Sequence, residues 1–112
     1  MFIEQPSVFL RWIYPHAIWR MDHRQKAVYL TFDDGPNTTT THEVFDVLEQ
    51  YGIKGSFFLI GNNINAESEK AVKRAYDMGC DIGNHSKSHP YMNELSVEEI
   101  KAEIEYVDDY IY

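Results

Sequence analysis

From Ala27 to the end of the chain, short apolar blocks alternate with stretches whose apolar residues recur at helical spacing. Ala27-Val28-Tyr29-Leu30-Thr31-Phe32 is a β-branched and aromatic run ending at Asp33, the pattern of a buried strand. Asp34-Gly35-Pro36-Asn37 follows as a turn. Thr41 or a neighbouring threonine is placed to cap a helix through His42 to Tyr51, with Val44, Val47 and Leu48 on its apolar face and Gly52 as its stop. The next block, Phe57-Phe58-Leu59-Ile60, predicts a second strand within residues 54–60, closed by Gly61. A helix is predicted over about residues 66–78, ended by Gly79, and then a short strand at Cys80-Asp81-Ile82-Gly83-Asn84. Ser96 and Glu99 form a capping box for a last helix, whose stripe is Ile100, Ile104, Val107 and Ile111.

The order β-α-β-α-β-α with short connections predicts an α/β fold of about three βα units on a parallel sheet. In such folds the loops after the strand C-termini carry the chemistry. The Asp33–Pro36 turn and the His85–His89 loop both take that position, on one rim of the sheet. Residues 1–26 read as an irregular N-terminal lead-in, a flap or short helix packed on the domain. It is apolar at Phe9, Leu10, Trp12, Ile13, Tyr14, Ile18 and Trp19 and broken by Pro6 and Pro15.

Composition supports one packed domain, since the chain has 112 residues and is 44% hydrophobic. A net charge of −8 disfavours nucleic acid and anionic membrane surfaces as partners. The single cysteine, Cys80, sits in an apolar run and reads as a buried structural thiol. The start Met1-Phe2-Ile3-Glu4-Gln5 lacks the basic region of a signal peptide, and no stretch is long enough for a membrane span. A cytoplasmic location is the expectation.

Two constellations carry candidate chemistry. Asp33 and Asp34 are adjacent carboxylates at a strand end, where alternation sends neighbours to opposite sides but fraying lets both reach one pocket. His85 and His89 are separated by four, so one helical turn would put both imidazoles on one face. Pro90 opposes helical backbone at His89, so any such turn must stop there. Each pattern alone is ordinary: a turn that caps a helix, and two surface histidines. Their placement on one rim changes the reading. Two imidazoles and a carboxylate form a three-ligand divalent-metal set with open positions for water, leaving a second carboxylate free as a general base. His16, His23 and His42 have no partner at ligand spacing.

Thr31-Phe32-Asp33-Asp34-Gly35-Pro36 and His85-Ser86-Lys87-Ser88-His89 resemble the first two motifs of the polysaccharide deacetylase (NodB-homology, carbohydrate esterase) family. Gly52-Ile53-Lys54-Gly55-Ser56-Phe57-Phe58 also resembles the family's segment after the first helix. The resemblance covers residues 27–112 and implies a partial (β/α) barrel. It also implies a metal-dependent hydrolase removing N-acetyl, or sometimes O-acetyl, groups from an acetylated glycan. Carried over residue by residue, it makes Asp33 the catalytic base and Asp34, His85 and His89 the ligands of a divalent metal. Zinc comes first among the first-row ions. Ser86 would brace the histidine loop.

The family's later motifs are not found: an arginine with a following Pro-Tyr, an aspartate/tryptophan motif and a C-terminal Leu-x-His. Within the family that histidine is the general acid and the tyrosine segment gives an oxyanion donor. Losing such a donor costs about 10²–10³ in rate, and losing the acid about 10²–10⁴. The chain is therefore expected to be truncated, binding metal with little or no deacetylase activity. Three parallel strands would also leave a sheet edge open to self-association as a homo-oligomer. The alternative is a non-catalytic metal-binding or interaction module derived from the same fold. A non-haem iron oxygenase shares the ligand set but is expected on an all-β fold.

Overall fold

The computed structural model describes residues 7–112. Its sheet has three parallel strands in the order β1 (Thr31–Gly35), β2 (Ser56–Leu59) and β3 (Asp81–Asn84). The helices are α1 (Val8–Ile13), α2 (Thr40–Tyr51), α3 (Glu69–Asp77) and α4 (Val97–Ile111). The predicted α/β alternation is therefore present from β1 onward, and α2 and α3 make the parallel crossovers. No helix among the described residues is long and apolar enough to cross a membrane.

The core lies between the sheet and helices α2 and α3, built from Phe45, Leu48, Phe57, Leu59, Ala71, Val72, Ala75 and Cys80. Phe57 stacks on Phe32 with ring centroids 4.8 Å apart, and Phe45 meets Phe57 edge-on at 4.9 Å. Cys80 is buried, as its apolar surroundings predict. Gly52 and Gly79 follow α2 and α3 in the left-handed conformation expected of helix stops. The Ser96–Glu99 capping box is formed at the start of α4.

Several expectations require correction. Residues 27–30 are not strand: Val28 and Tyr29 are exposed, and β1 begins at Thr31 and runs on through both aspartates to Gly35. Of this run only the Leu30 carbonyl reaches β2, accepting from the Ser56 amide at 3.0 Å, because β2 begins only at Ser56, opposite Thr31. In α2 the buried face is Phe45 and Leu48 with Val44 at its margin, while Val47 is exposed. Thr39, a neighbour of Thr41, stands at the N-cap of α2 but makes no side-chain cap bond, and it is Asn37 that ties the helix start. Its side-chain oxygen accepts from the Thr39 and Thr41 amides, and the Thr41 hydroxyl accepts from the Asn37 amide. On α4, Val107 is fully buried but Ile104 is exposed. Helix α1 buries none of its residues, so the expected packing of the lead-in onto the domain is not seen at Val8–Ile13. Pro6 lies outside the described residues.

Candidate metal centre

Three loops meet at the C-terminal ends of the strands. The first carries Asp34 at the end of β1. The β1–β2 register shifts between Phe32 and Gly35, so simple alternation fails at the two aspartates. Asp34 adopts a φ of 67°, and the Gly35–Pro36 peptide is cis. The Asn63 side chain, from the loop after β2, donates to the Asp34 carbonyl at 2.8 Å and fixes that peptide's direction. Both aspartates line one cleft of about 210 Å³ with Pro36, Thr41, Val44 and Phe57. The expected sharing of a pocket at the strand end is thus present.

The second loop follows β3. It is not a helical turn: Ser86 and His89 have φ of 66° and 56°. Pro90 excludes right-handed helical backbone at His89, and a left-handed residue is the alternative adopted. The loop is held from within and from its neighbour. The Asn84 side-chain oxygen accepts from the Ser86 amide at 2.7 Å, and the Ser86 hydroxyl accepts from the His89 amide at 3.0 Å. From the loop after β2, Gly61 and Asn62 amides donate to the Ser86 and Lys87 carbonyls. Gly61 has to be glycine for this approach, since a Cβ there would stand 2.6 Å from the Tyr106 ring of α4.

The result is a convergence of Asp34, His85 and His89, whose ligand atoms all lie within 4.8 Å of one another. His85 Nε2 is 3.3 Å and His89 Nε2 3.7 Å from Asp34 Oδ1, and the two imidazole centroids are 4.9 Å apart. Donor atoms about 2.0–2.1 Å from a tetrahedral ion stand about 3.3–3.4 Å from each other. The set therefore fits a small divalent ion, and its chemistry of two nitrogens and one oxygen suits zinc and its first-row neighbours. The His85 side chain is 28% exposed, and those of His89 and Asp34 are 59% and 69%, so the remaining side of the centre is open.

The three residues expected as ligands converge, and Asp33 lies outside that cluster, lining with Asp34 a cleft that neither histidine lines. Ser86 is buried, and its hydroxyl accepts from the His89 amide. His42 instead packs edge-on against Phe45 and belongs to the core margin. Sequence reasoning missed Asn63 and Asn84. Asn84 also donates to the Ile104 carbonyl and to Asp108, tying α4 to the strand end that carries His85. The rule that places chemistry after strand C-termini pointed equally at Gly61-Asn62-Asn63, the loop after β2, and was the signal available.

The sequence profile described as "Polysaccharide deacetylase" matches residues 20–112. The chain is 43% identical over 82 residues to a bifunctional xylanase/deacetylase of Pseudobutyrivibrio xylanivorans, covering 73% of this chain and 14% of that one. Among solved structures it is similar to the peptidoglycan deacetylase PdaC from Bacillus subtilis, with TM-score 0.72 and 38% identity, covering 80% of this chain and 44% of that one. It is also similar to a family 4 acetyl xylan esterase from Clostridium thermocellum in complex with a cobalt ion, with TM-score 0.67 and 36% identity, covering 70% and 38%. The chain spans less than half the length of the curated relatives it matches. With three parallel strands bearing an aspartate and two histidines at their C-terminal rim, and with these matches, the chain belongs to the polysaccharide deacetylase family.

Proposed function

We propose that this chain provides the metal-binding part of a site that hydrolyses acetyl groups on a glycan, N-acetyl first and O-acetyl second. The observation that carries the reading is the convergence of Asp34, His85 and His89 on one point. These three would hold a divalent ion, zinc foremost, which when bound supplies Lewis acidity and a water of lowered pKa. The Asp33 carboxylate, on the cleft it shares with Asp34, takes a proton from the attacking water as general base. Ser86 keeps the histidine loop in shape. Residues 27–112 form the working unit and residues 1–26 its lead-in. Relatives named as peptidoglycan, xylan and chitin deacetylases or esterases support an acetylated glycan as the substrate class. On this reading the general acid and an oxyanion donor are not supplied by the residues of this cluster, and the later motifs of the family that would carry them do not occur in these 112 residues.

Zinc titration by calorimetry and acetate release from chitooligosaccharides test this together. One ion should bind per chain, Asp34→Asn and His85→Ala should each abolish binding, and acetate release should stay near the blank. Failure of the unaltered chain to take up zinc would overturn the reading. Brisk acetate release would overturn the assignment of the acid to elements elsewhere. The openness of His89 and Asp34 favours a second reading, a metal-binding module with no catalysis of its own. Restoring acetate release by adding the complementary part of a family member would discard it.

A further inference from the structure

One carboxylate on α4 is committed wholly to the histidine loop. Glu103 Oε2 accepts from the Ser88 amide at 2.7 Å and Glu103 Oε1 from the Ser88 hydroxyl at 2.8 Å. The Glu103 carbonyl accepts from the Lys87 amide at 2.9 Å. One residue thus receives two successive loop amides and a hydroxyl, all immediately before His89. Among the described residues Glu103 makes no ion pair, whereas Glu105 on the same helix pairs with Lys101 and Glu99 caps the helix start. Charge-assisted bonds of this length are the stronger kind. They act on a loop that holds two non-glycine residues, Ser86 and His89, in left-handed backbone that a free loop would leave. The Asn84 and Gly61 contacts grip the loop at Ser86 and the Asn62 amide holds the Lys87 carbonyl, but Ser88 is gripped by Glu103.

We propose that Glu103 is a positioning residue for the metal centre. Its carboxylate clamps Ser88, and this holds His89 in the conformation that turns its imidazole toward His85 and Asp34. The inference rests on the metal-centre reading, but the clamp itself can be measured without metal.

The experiment uses the full chain, ¹⁵N-labelled and metal-free, as Glu103→Ala, Glu103→Gln and Ser88→Ala. Alanine is the best helix former, so α4 is retained in Glu103→Ala, and unchanged exchange at Phe57 in β2 reports an intact fold. The Ser88 and His89 amides should exchange about tenfold faster or more in Glu103→Ala, as expected for loss of a bond to a charged group. Zinc affinity should fall about 10- to 100-fold, the usual effect of removing a group that orients a ligand. The cobalt(II) absorption spectrum should shift as His89 loosens. Glu103→Gln keeps an acceptor for the Ser88 amide and should recover most of both effects. Ser88→Ala loses only the hydroxyl and should fall between. Unchanged Ser88 exchange in Glu103→Ala overturns the proposal whether or not metal binds. Faster exchange with undiminished zinc affinity also overturns it. If the unaltered chain takes no zinc while Glu103→Ala frees Ser88, the clamp stands and it is the metal-centre reading that fails.

Discussion

Replacing Ser86 by alanine removes one atom from the histidine loop and should cost the site most of its affinity for metal. Ser86 is 8% exposed, and its hydroxyl is the acceptor for the His89 amide. Without it that amide has no partner in a loop too tight for easy repair, a penalty of about 1–3 kcal/mol. If the loop relaxes to avoid the penalty, the bound-ready arrangement is depopulated by a factor of about 5 to 150 at about 1.4 kcal/mol per tenfold. Glycine makes a useful partner variant. Ser86 sits at a φ of 66°, which costs any residue with a Cβ about 1–2 kcal/mol. Ser86→Gly loses the same acceptor but is relieved of that strain. Urea unfolding should therefore rank Ser86→Gly above Ser86→Ala, while zinc affinity falls at least about tenfold in both. Calorimetric titration with chelator competition gives the affinity. Zinc affinity of Ser86→Ala within twofold of the unaltered chain, with both folded, would refute the idea that this hydroxyl shapes the centre.

Other consequences can be tested in the same preparations. Phe45→Ala should destabilise the fold by about 3–5 kcal/mol in urea, because Phe45 is fully buried against Phe57; Val47→Ala, at an exposed position, should cost under about 1 kcal/mol, and equal effects would contradict the packing. The Glu99 carboxyl is held below its ordinary pKa, chiefly by the Ser96 amide and then the Ser96 hydroxyl. Its contribution is thus fully present above the ordinary glutamate pKa of about 4.3 and is lost as pH falls through the lower folded value, so Glu99→Gln should flatten the acid limb of a stability-pH profile. Self-association through an open sheet edge is expected as a dimer at micromolar concentration in sedimentation velocity, and a monomer alone would contradict it.

The fold was legible where the sequence carried turn chemistry and misleading where it carried only apolarity. Gly52, Gly79 and the Ser96–Glu99 box each act through local backbone demands, and each marks the expected boundary. Residues 27–29 are as apolar as a buried strand but depend on a neighbour that the chain does not place there, which no local pattern encodes. Val47 and Phe45 are both apolar residues of α2, and only the rotation of the helix against Phe57 decides which is buried. The convergence of Asp34, His85 and His89 was legible because two short motifs share a rim. The means of bringing them together was not, since a four-residue spacing suggested a helical turn and the loop uses left-handed residues instead.

That difference bears on how the centre works. Among the described residues, the non-glycine positions with positive φ are Asp34, Ser86 and His89: two ligands and the residue that braces one of them. Such backbone persists only where surrounding contacts over-determine it. Here the contacts come from a neighbouring loop, Asn63 onto the Asp34 carbonyl, and from within the histidine loop, Asn84 onto the Ser86 amide and Ser86 onto the His89 amide. A loop free to relax would have to be ordered by the ion, and that ordering would weaken binding. A loop whose strain is offset during folding would present its nitrogens already converged, and His85 Nε2 and His89 Nε2 lie 3.3 and 3.7 Å from Asp34 Oδ1. On the proposed metal-centre reading, the hydrogen bonds behind the ligands would set metal affinity as much as the ligands do. Substitutions at Asn63 and Asn84 should accordingly weaken zinc binding while leaving every ligand in place.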